Sequence, residues 1–489
     1  MSIVPPRSRT PLILVTVLAI FLAPVRLTAQ SEVQREQLLN GLKIVFIPRP
    51  GDPSVLLKLR VHSGAAFDTA GKSGTMALLA DLLFPDPLTF EYFKDEIDGR
   101  LIVETTQDAI DVTMQGRATE YDRIVDTLRG AVVTTPLSPE NVSRIRDAKI
   151  KVLSERKPSA AELANQTVAA RLFGAFPYAR DPAGTPETLR QIDRADLLLA
   201  KDRFLSPNNA TLVIIGGVDH TKAMRALRQL LGGWRKSEEL VPATFRPPVA
   251  PDARVMLANF PDAQATEVRL AVRGLARGDR DYLAATLLSF VARDRWQKLM
   301  PEAKIFVRHE AHTLPGLFIM GSSVESSNAS AALDAARATL KGLVDAPISA
   351  SELEKAKSEY LANENKVAAN DRLATDWLNI EAYSLPLSGM QMRNWSLLSS
   401  AELQRVAARL YLSASQATVI VGNVESLKAK MTSANIEILG ETKTATTGTQ
   451  PPTPSPTPTP APTKRRTFVF TPKPPSPLIK NQKPTPTPD

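Results

Sequence analysis

The amino-acid sequence predicts an α+β fold of two homologous domains of roughly 200 residues, each a mainly antiparallel sheet packed by helices, in a clamshell arrangement. The first reason is an internal repeat: residues 204–219 reappear as residues 411–425, at an offset of 207 that shortens by one near the closing glycines. Each copy has the pattern of a helix end, a turn, a buried strand and an acidic residue. The other reasons are alternating strands that open both halves, and a proline-rich stretch between the halves.

The first half begins with two short apolar runs, which predict two neighbouring strands at residues 42–47 and 55–61. Stretches with a period near 3.6 residues and charged outer faces predict the helices that follow. We expect helices at 71–84, 121–133, 141–156 and, after the repeated strand, 222–231.

The second half follows the same plan. Residues 255–259 and 267–272 predict its first two strands. Helical periodicity then predicts helices at 282–299, 329–345, 351–369 and 425–431. The expected domains are therefore residues 30–241 and 252–440, joined by a proline-rich linker at 242–251.

Charge and composition exclude several classes of function. The 489 residues carry 60 Lys and Arg against 51 Asp and Glu, a formal net charge of +9, but the excess lies at the two ends and the body is near neutral. We therefore expect no nucleic-acid partner. The absence of cysteine excludes disulfides and thiolate metal sites, so any metal chemistry depends on carboxylates and four histidines.

The two ends have compositions of their own. Residues 1–29 carry Arg7 and Arg9, an apolar run of 12 residues and then Ala29, which predicts a secretory signal peptide and a periplasmic or secreted protein. An uncleaved amphipathic anchor is the alternative. Residues 441–489 are rich in Pro and Thr and basic, which predicts a disordered tail. That tail is either a solvated spacer or a tether to the envelope, and we expect no transmembrane helix in the mature chain.

Several segments resemble one peptidase family. These are LNGL at 39–42, Gly74-Thr75, the run FGAFPYARDPAGTPETL at 173–189, SPNNAT at 206–211, and Gln264. Together they resemble the pitrilysin/insulinase family of zinc peptidases, the inverzincins, over about residues 37–430. The resemblance implies a fold of the LuxS/insulinase metalloenzyme type.

The family's catalytic motif is replaced in this chain. Active members carry H-x-x-E-H on the first helix, where two histidines bind Zn²⁺ and the glutamate acts on the attacking water. Aligned on Gly74-Thr75, the three positions are Ala77, Ala80 and Asp81. Alanine cannot bind a metal or transfer a proton, so the resemblance implies a degenerate site with no catalytic residue and no bound zinc.

The remaining family ligand is a glutamate on a later helix. The alignment places it near Ile150 or Val152. Glu155 is close but out of helical phase, and only a shift of one turn would bring it into place. Even then, Asp81 and Glu155 would form a site of two carboxylates without an imidazole.

The family's second domain carries an arginine and a tyrosine that hold the substrate backbone. In this chain the arginine position corresponds to Met300, and the tyrosine position to Phe306 or Val307. Arg308 lies nearby at a spacing that does not match. Both polar groups are therefore replaced.

The histidines offer little support for a metal site. His309 and His312 form a cluster with the wrong spacing for HExxH, and in the strand predicted for 304–312 positions three apart point to opposite faces. We expect two structural or solvated histidines, with a metal site on a helix as the alternative. His62 follows a strand and is expected to be structural, and His220 lies at the start of a helix.

These observations lead to one expected function and two alternatives. The resemblance implies a non-catalytic homologue that pairs as a heterodimer with a zinc-bearing homologue and completes a chamber enclosing peptide substrate, in protein degradation or processing. No cofactor is expected in this chain, and zinc is expected in the partner. The alternatives are a stand-alone peptide-binding or envelope scaffold protein, and a zinc metallopeptidase with an unorthodox site that uses Asp81.

Overall fold

The fold was obtained as a computed structural model, which describes residues 33–385, 395–412, 414–431 and 435–440. The expected signal peptide at 1–29 and the expected tail at 441–489 lie outside the described residues. Within the described ranges, no helix combines the length and the apolar character needed to cross a bilayer.

The first half contains six strands and eight helices among the described residues. In chain order they are β1 Gln34–Gln37, β2 Lys43–Pro48, β3 Ser54–Val61, α1 Thr75–Asp81, α2 Leu88–Asp95, β4 Arg100–Thr105, β5 Ile110–Arg117, α3 Tyr121–Val132, α4 Pro139–Glu155, α5 Ala160–Phe173, α6 Pro186–Arg190, α7 Arg194–Phe204, β6 Ala210–Gly216 and α8 His220–Leu231. The helix expected at 71–84 is shorter than predicted. It begins only after Gly74, because the left-handed φ of 95° at that glycine lies outside the helical region.

The second half, as far as the structure describes it, contains six strands and six helices. They are β7 Val255–Asn259, β8 Thr266–Arg273, α9 Tyr282–Leu299, β9 Lys304–Glu310, β10 Leu317–Val324, α10 Ala329–Asp345, α11 Ala350–Glu364, α12 Ala369–Ala382, α13 Ser400–Tyr411, β11 Ala417–Gly422, α14 Val424–Lys430 and β12 Ile436–Ile438. Residues 242–251, the expected linker, carry no helix or strand.

The strands form two six-stranded sheets with matching orders. The first is β1-β2-β6-β3-β5-β4 and the second is β12-β7-β11-β8-β10-β9. The repeated strands, β6 and β11, occupy the same interior position in their sheets. On one side they pair in parallel with β2 and β7, and on the other side they pair antiparallel with β3 and β8. The predicted fold of two homologous α+β domains with mainly antiparallel sheets is therefore confirmed.

The register of the repeat differs from the sequence alignment within the strand. Ile214 and Ile420 both face the core of their own half, whereas Val213 and Val419 both face the opposite side of their sheets. The offset inside the strands is thus 206 rather than 207. Because side chains alternate with a period of two, an alignment wrong by one residue exchanges the two faces of the strand.

Each half has its own hydrophobic core on one face of its sheet. In the first half α1, α3, α7 and α8 contribute to that core, and in the second half α9, α10 and α13 do so. The 3.6-residue periodicity of these helices accounts for their apolar faces.

The opposite face of each sheet is covered by a helix from the other half. Helix α5 of the first half packs on β8 and β11, with Val168, Leu172 and Phe173 in the contact. Helix α12 of the second half packs on β3 and β6, with Trp377 and Leu378 in the contact. The two halves are therefore interlocked by an exchange of helices.

Polar contacts follow the same exchange. Arg60 in β3 forms two hydrogen bonds with Asp111 of its own sheet and donates to Asn379 Oδ1 of α12 at 2.7 Å. On the other side, Arg269 in β8 donates to Asn165 Oδ1 of α5 at 2.7 Å. Each buried cation therefore ties its sheet to the helix received from the other half.

Candidate functional site

The site implied by the family motif lies on helix α1. Asp68 caps this helix, accepting hydrogen bonds from the backbone N–H groups of Gly74 at 2.7 Å and Met76 at 2.9 Å. Ala77 is 5% exposed and Ala80 is 2% exposed, so both methyl groups lie in packed surroundings. No lone pair is present at either position, and the surrounding space is filled by protein.

The surroundings of Asp68 disfavour its charged form, because the carboxylate is buried. Burial raises the pKa of Asp68 to about 6, and the hydrogen bonds from Met76 and Gly74 oppose this shift. Arg180 donates to the backbone carbonyl groups of Asp68 and Ala66 rather than to a carboxylate. Burial accordingly lowers the pKa of the Arg180 guanidinium.

Asp81, the third motif position, is paired with a lysine. Its Oδ2 lies 2.6 Å from Nζ of Lys149 on helix α4, and the two side chains are 41% and 20% exposed. The only carboxylate at the three motif positions, that of Asp81, thus faces an ammonium group. A cation of the protein stands beside the position where active members present ligands to zinc, so the electrostatics there disfavour a second cation.

Helix α4 does not supply the missing carboxylate. Ile150 packs against the core of the first half, and Val152 is 63% exposed. Glu155 lies six residues beyond Lys149, which places it about 9 Å along the axis and on a different face of the helix. Its nearest ionic partner is Lys151 at 3.9 Å.

The fit to zinc can be judged from the donor set. Within the described ranges, no three His, Asp or Glu side chains are grouped so that they could hold a metal ion. A catalytic zinc takes about three protein ligands. The side chains present at the motif positions therefore do not fit this metal.

The positions that replace the family's substrate-holding pair lie at the end of α9 and on β9. Met300 caps α9 and packs against the core of the second half. Val307 is buried in that core, whereas Phe306 faces the side covered by α5. The guanidinium groups of Arg269 and Arg308 lie 4.9 and 4.7 Å from the centre of the Phe306 ring, so both cations stack on it.

The two clustered histidines make separate contacts. His309 Nε2 accepts from the backbone N–H of Leu275 at 3.1 Å, and its Nδ1 lies 3.1 Å from Thr286 Oγ1. Since the Thr286 hydroxyl donates to the carbonyl group of Tyr282, the imidazole is neutral with its proton on Nδ1. Burial lowers the pKa of His309 to about 4.

His312 lies instead at the junction of the two halves. Its Nδ1 is 3.5 Å from Oδ2 of Asp108, and its ring lies 4.5 Å from that of Tyr178. Asp108 also accepts from the Tyr178 hydroxyl at 2.8 Å and from the backbone N–H of Thr313 at 2.8 Å. The strand predicted for 304–312 is confirmed for residues 304–310, but His312 lies two residues beyond its end. The two histidines therefore have different surroundings.

The other two histidines also have structural contacts. His62 Nε2 lies 2.9 Å from Thr211 Oγ1, and burial lowers the pKa of His62 to about 4. Asp219 caps α8, and His220, the first residue of that helix, contacts Glu36 at 2.6 Å. Neither histidine lies beside the degenerate motif.

Lys149 was not singled out from the sequence. The signal was present, because Lys149 shares a helical face with Ile145 and Leu153, four residues away on each side, and both are partly buried. A lysine on the apolar face of an amphipathic helix indicates a specific partner.

Comparison with known proteins supports the family resemblance. Residues 191–360 match the profile of the family described as the peptidase M16 inactive domain. An uncharacterised zinc protease of Streptomyces coelicolor is 23% identical over 267 residues, covering 53% of this chain and 58% of that protein.

Solved structures agree with this result. The peptidase M16 inactive domain from Pseudomonas fluorescens superposes with a TM-score of 0.72 at 18% identity, covering 80% of this chain and 98% of that one. Residues 191–360 therefore resemble the M16 peptidases, the pitrilysin/insulinase family, and the described chain has the fold of that family. The H-x-x-E-H motif of that family is absent from it.

Other proteins are similar to this chain over about half of their own length. Subunit 1 of the human (Homo sapiens) mitochondrial cytochrome b-c1 complex is 22% identical over 218 residues, covering 43% of this chain and 45% of that protein. The periplasmic protease PqqL of Escherichia coli shares the fold with a TM-score of 0.65 at 16% identity, covering 81% of this chain and 48% of that one. The matches span about half the length of the curated relatives.

Proposed function

We propose that this chain is a non-catalytic M16 homologue that pairs with a zinc-bearing homologue in the degradation or processing of peptides. The zinc ion and its chemistry would belong to the partner subunit. This chain would contribute its sheets and helices to a chamber that encloses peptide substrate.

The observation that carries the proposal is the pairing of Asp81 with Lys149. At 2.6 Å the ammonium group neutralises the one carboxylate left at the motif. Ala77 and Ala80 stay buried as good helix formers, so α1 keeps its packing without its chemistry. A subunit that acts by assembling with an active partner needs the packing of this helix but needs no metal ligands on it.

The relatives support a role in an assembly. The human relative is, by its name, a subunit of a larger complex, and the bacterial relative is described as a zinc protease. One family thus includes proteins of both descriptions. The periplasmic location of PqqL and the basic start of this chain support a periplasmic or secreted location.

Peptide would enter along a sheet edge. Strand β4 is the outer strand of the first sheet, pairing with β5 on one side only among the described strands, and it packs beside α1. An extended peptide can add to such an edge through main-chain hydrogen bonds. The same edge favours the second candidate function, a stand-alone peptide-binding or envelope scaffold protein.

The test measures zinc content and peptide hydrolysis for the purified chain, for an H-x-x-E-H homologue encoded beside it, and for the mixture. We expect the chain alone to hold no stoichiometric zinc and to cleave nothing, and the mixture to form a heterodimer with activity above that of the homologue alone. Asp81→Ala should leave the activity of the mixture unchanged, because this carboxylate binds Lys149 rather than a metal.

Two outcomes would contradict the proposal. Stoichiometric zinc in the isolated chain, with hydrolysis abolished by Asp81→Ala, would establish a peptidase with an unorthodox site. A chain that stays a monomer or homodimer beside the homologue, and binds unfolded peptide without cleaving it, would establish the stand-alone peptide-binding protein.

A further inference from the structure

A groove of about 790 Å³ lies where residues 241–249 cross the first half, and its lining does not include Ala77, Ala80 or Asp81. Its other lining comes from residues 66–71, the end of α5 with the loop that follows it, and the end of α7. Five phenylalanine rings line it and contact one another with centroids 5.0–6.0 Å apart: Phe67, Phe173, Phe176, Phe204 and Phe245. We call this surface the aromatic groove.

The charges of the aromatic groove are strongly unbalanced. Its lining includes Arg180, Arg203 and Arg246, against the single carboxylate of Asp68. That carboxylate is already bound to the N-terminus of α1. In the part of the chain that the structure describes, none of the three guanidinium groups forms an ion pair with a carboxylate, so the groove carries an excess of positive charge beside an apolar floor.

Arg180 shows that this charge is held in place. Its guanidinium donates to the carbonyl groups of Asp68 at 2.8 Å and Ala66 at 3.2 Å, which fixes its orientation in the lining. Burial lowers its pKa, and the nearby Asp68 carboxylate offsets only part of this shift. An arriving carboxylate would relieve that cost.

The segment 241–249 adds main-chain groups that could bind an extended chain. It has no helix or strand, and no described residue accepts a hydrogen bond from the backbone N–H of Phe245, Arg246 or Val249. Backbone N–H groups that have no acceptor in the protein can donate to the carbonyl groups of an extended peptide.

We propose that the aromatic groove binds an extended acidic peptide segment that carries large apolar side chains. Its carboxylates meet the three arginines, and its apolar side chains fill the phenylalanine-lined floor. Its carbonyl groups accept from the backbone N–H groups of Phe245, Arg246 and Val249. A fatty acid would satisfy the floor and one arginine but would leave the backbone donors unused. The proposal does not depend on the partner-subunit function, because Ala77, Ala80 and Asp81 do not line the groove.

The experiment uses the purified full-length chain and a fluorescein-labelled peptide in which Glu alternates with Phe and Leu. We expect saturable binding by fluorescence anisotropy that weakens as salt is added, because the arginines are close to solvent. A peptide with Lys in place of every Glu should not bind. Replacing Phe and Leu by Ser should weaken binding as well, since the apolar floor would stay unfilled.

Charge reversal locates the binding. The double variant Arg203→Glu with Arg246→Glu changes two exposed side chains and should weaken binding at least about tenfold. Arg225→Glu is the matched control and should leave the affinity unchanged. Arg225 is exposed, forms no ion pair with a described residue, and lines a different groove between α3 and α8. Urea unfolding of all variants confirms that the fold is retained.

Three results would overturn the proposal. The first is equal binding of the acidic and basic peptides, and the second is an equal loss of affinity in the Arg225→Glu control. The third is binding of oleate with displacement of the peptide at a lower concentration than the peptide itself requires, which would assign the groove to an anionic lipid.

Discussion

At the scale of single residues, the behaviour of this protein depends on charges that are buried or paired. The Asp81 carboxylate forms an ion pair with Lys149, and two arginine guanidinium groups stack on the Phe306 ring. At both positions, where the resemblance predicts a functional side chain in active members, the side chain present makes contacts within the chain. The residues are thus used for packing rather than left free for chemistry.

His309 provides a residue-scale prediction of pH dependence. Its Nε2 accepts a backbone N–H, so protonation would bring two donors together at 3.1 Å. Because burial lowers its pKa from 6.5 to about 4, the unfolded chain binds more protons between these values. The stability that His309 contributes is therefore complete above pH 6.5 and is lost as the pH falls toward 4, by about 2 kcal/mol at pH 5.

Urea unfolding between pH 8 and pH 4 checks this prediction. In His309→Gln, the free energy of unfolding should fall less steeply with decreasing pH below 6.5 than in the parent chain, by up to one proton in the slope. Above pH 7 the two curves should run parallel. Parallel curves over the whole range would show that His309 is not responsible.

At the scale of elements, helices α5 and α12 join the two halves, because each packs on the sheet of the other half. Helix α12 belongs to the second half in sequence, yet Trp377, which is 4% exposed, packs among Val45, Leu56 and Val213 of the first sheet. The indole is therefore part of the contact between the halves.

Trp377→Ala should destabilise the protein by about 3–5 kcal/mol, the usual cost of removing a large buried aromatic side chain. Leu361→Ala on the neighbouring α11 is the control, because that side chain is 39% exposed and its loss should cost less than about 1 kcal/mol. Urea unfolding followed by circular dichroism measures both. Equal small effects would show that α12 contributes little to holding the halves together.

At the scale of the whole molecule, the exchange makes each half depend on the other. Without α12 the outer face of the first sheet would expose apolar side chains of β2, β3 and β6, and without α5 the same would hold for β8 and β11. Exposed apolar faces of this size cause aggregation or association. The two halves should therefore fold as one unit.

Separate expression of residues 30–241 and 252–440 tests this dependence. Each half alone should aggregate or fail to unfold cooperatively, whereas the two expressed together should copurify and unfold in one transition near that of the intact chain. Cleavage of the folded protein between residues 242 and 251 should leave the halves associated. A half that is monomeric and as stable as the intact chain would contradict the interlocked arrangement.

Much of the fold could be predicted because its signals are local. The strand at 255–259 and the helices at 282–299 and 329–345 agree with the structure to the residue, since periodicity and terminal residues lie within each segment. The resemblance to the family could also be recognised from the sequence, and so could the lack of an H-x-x-E-H motif, because both depend on residue identities alone.

The sequence by itself thus determined the plan of two similar halves and the main helices and strands. It also fixed the side chains of Ala77, Ala80 and Asp81 at the positions where the family resemblance predicts zinc ligands. Only the tertiary structure decided the register of the repeated strands, because β6 and β11 are apolar on both faces and alternation carried no phase. It also decided the pairing of Asp81 with Lys149 and the exchange of α5 and α12, because such contacts join residues far apart along the chain and depend on how whole elements pack.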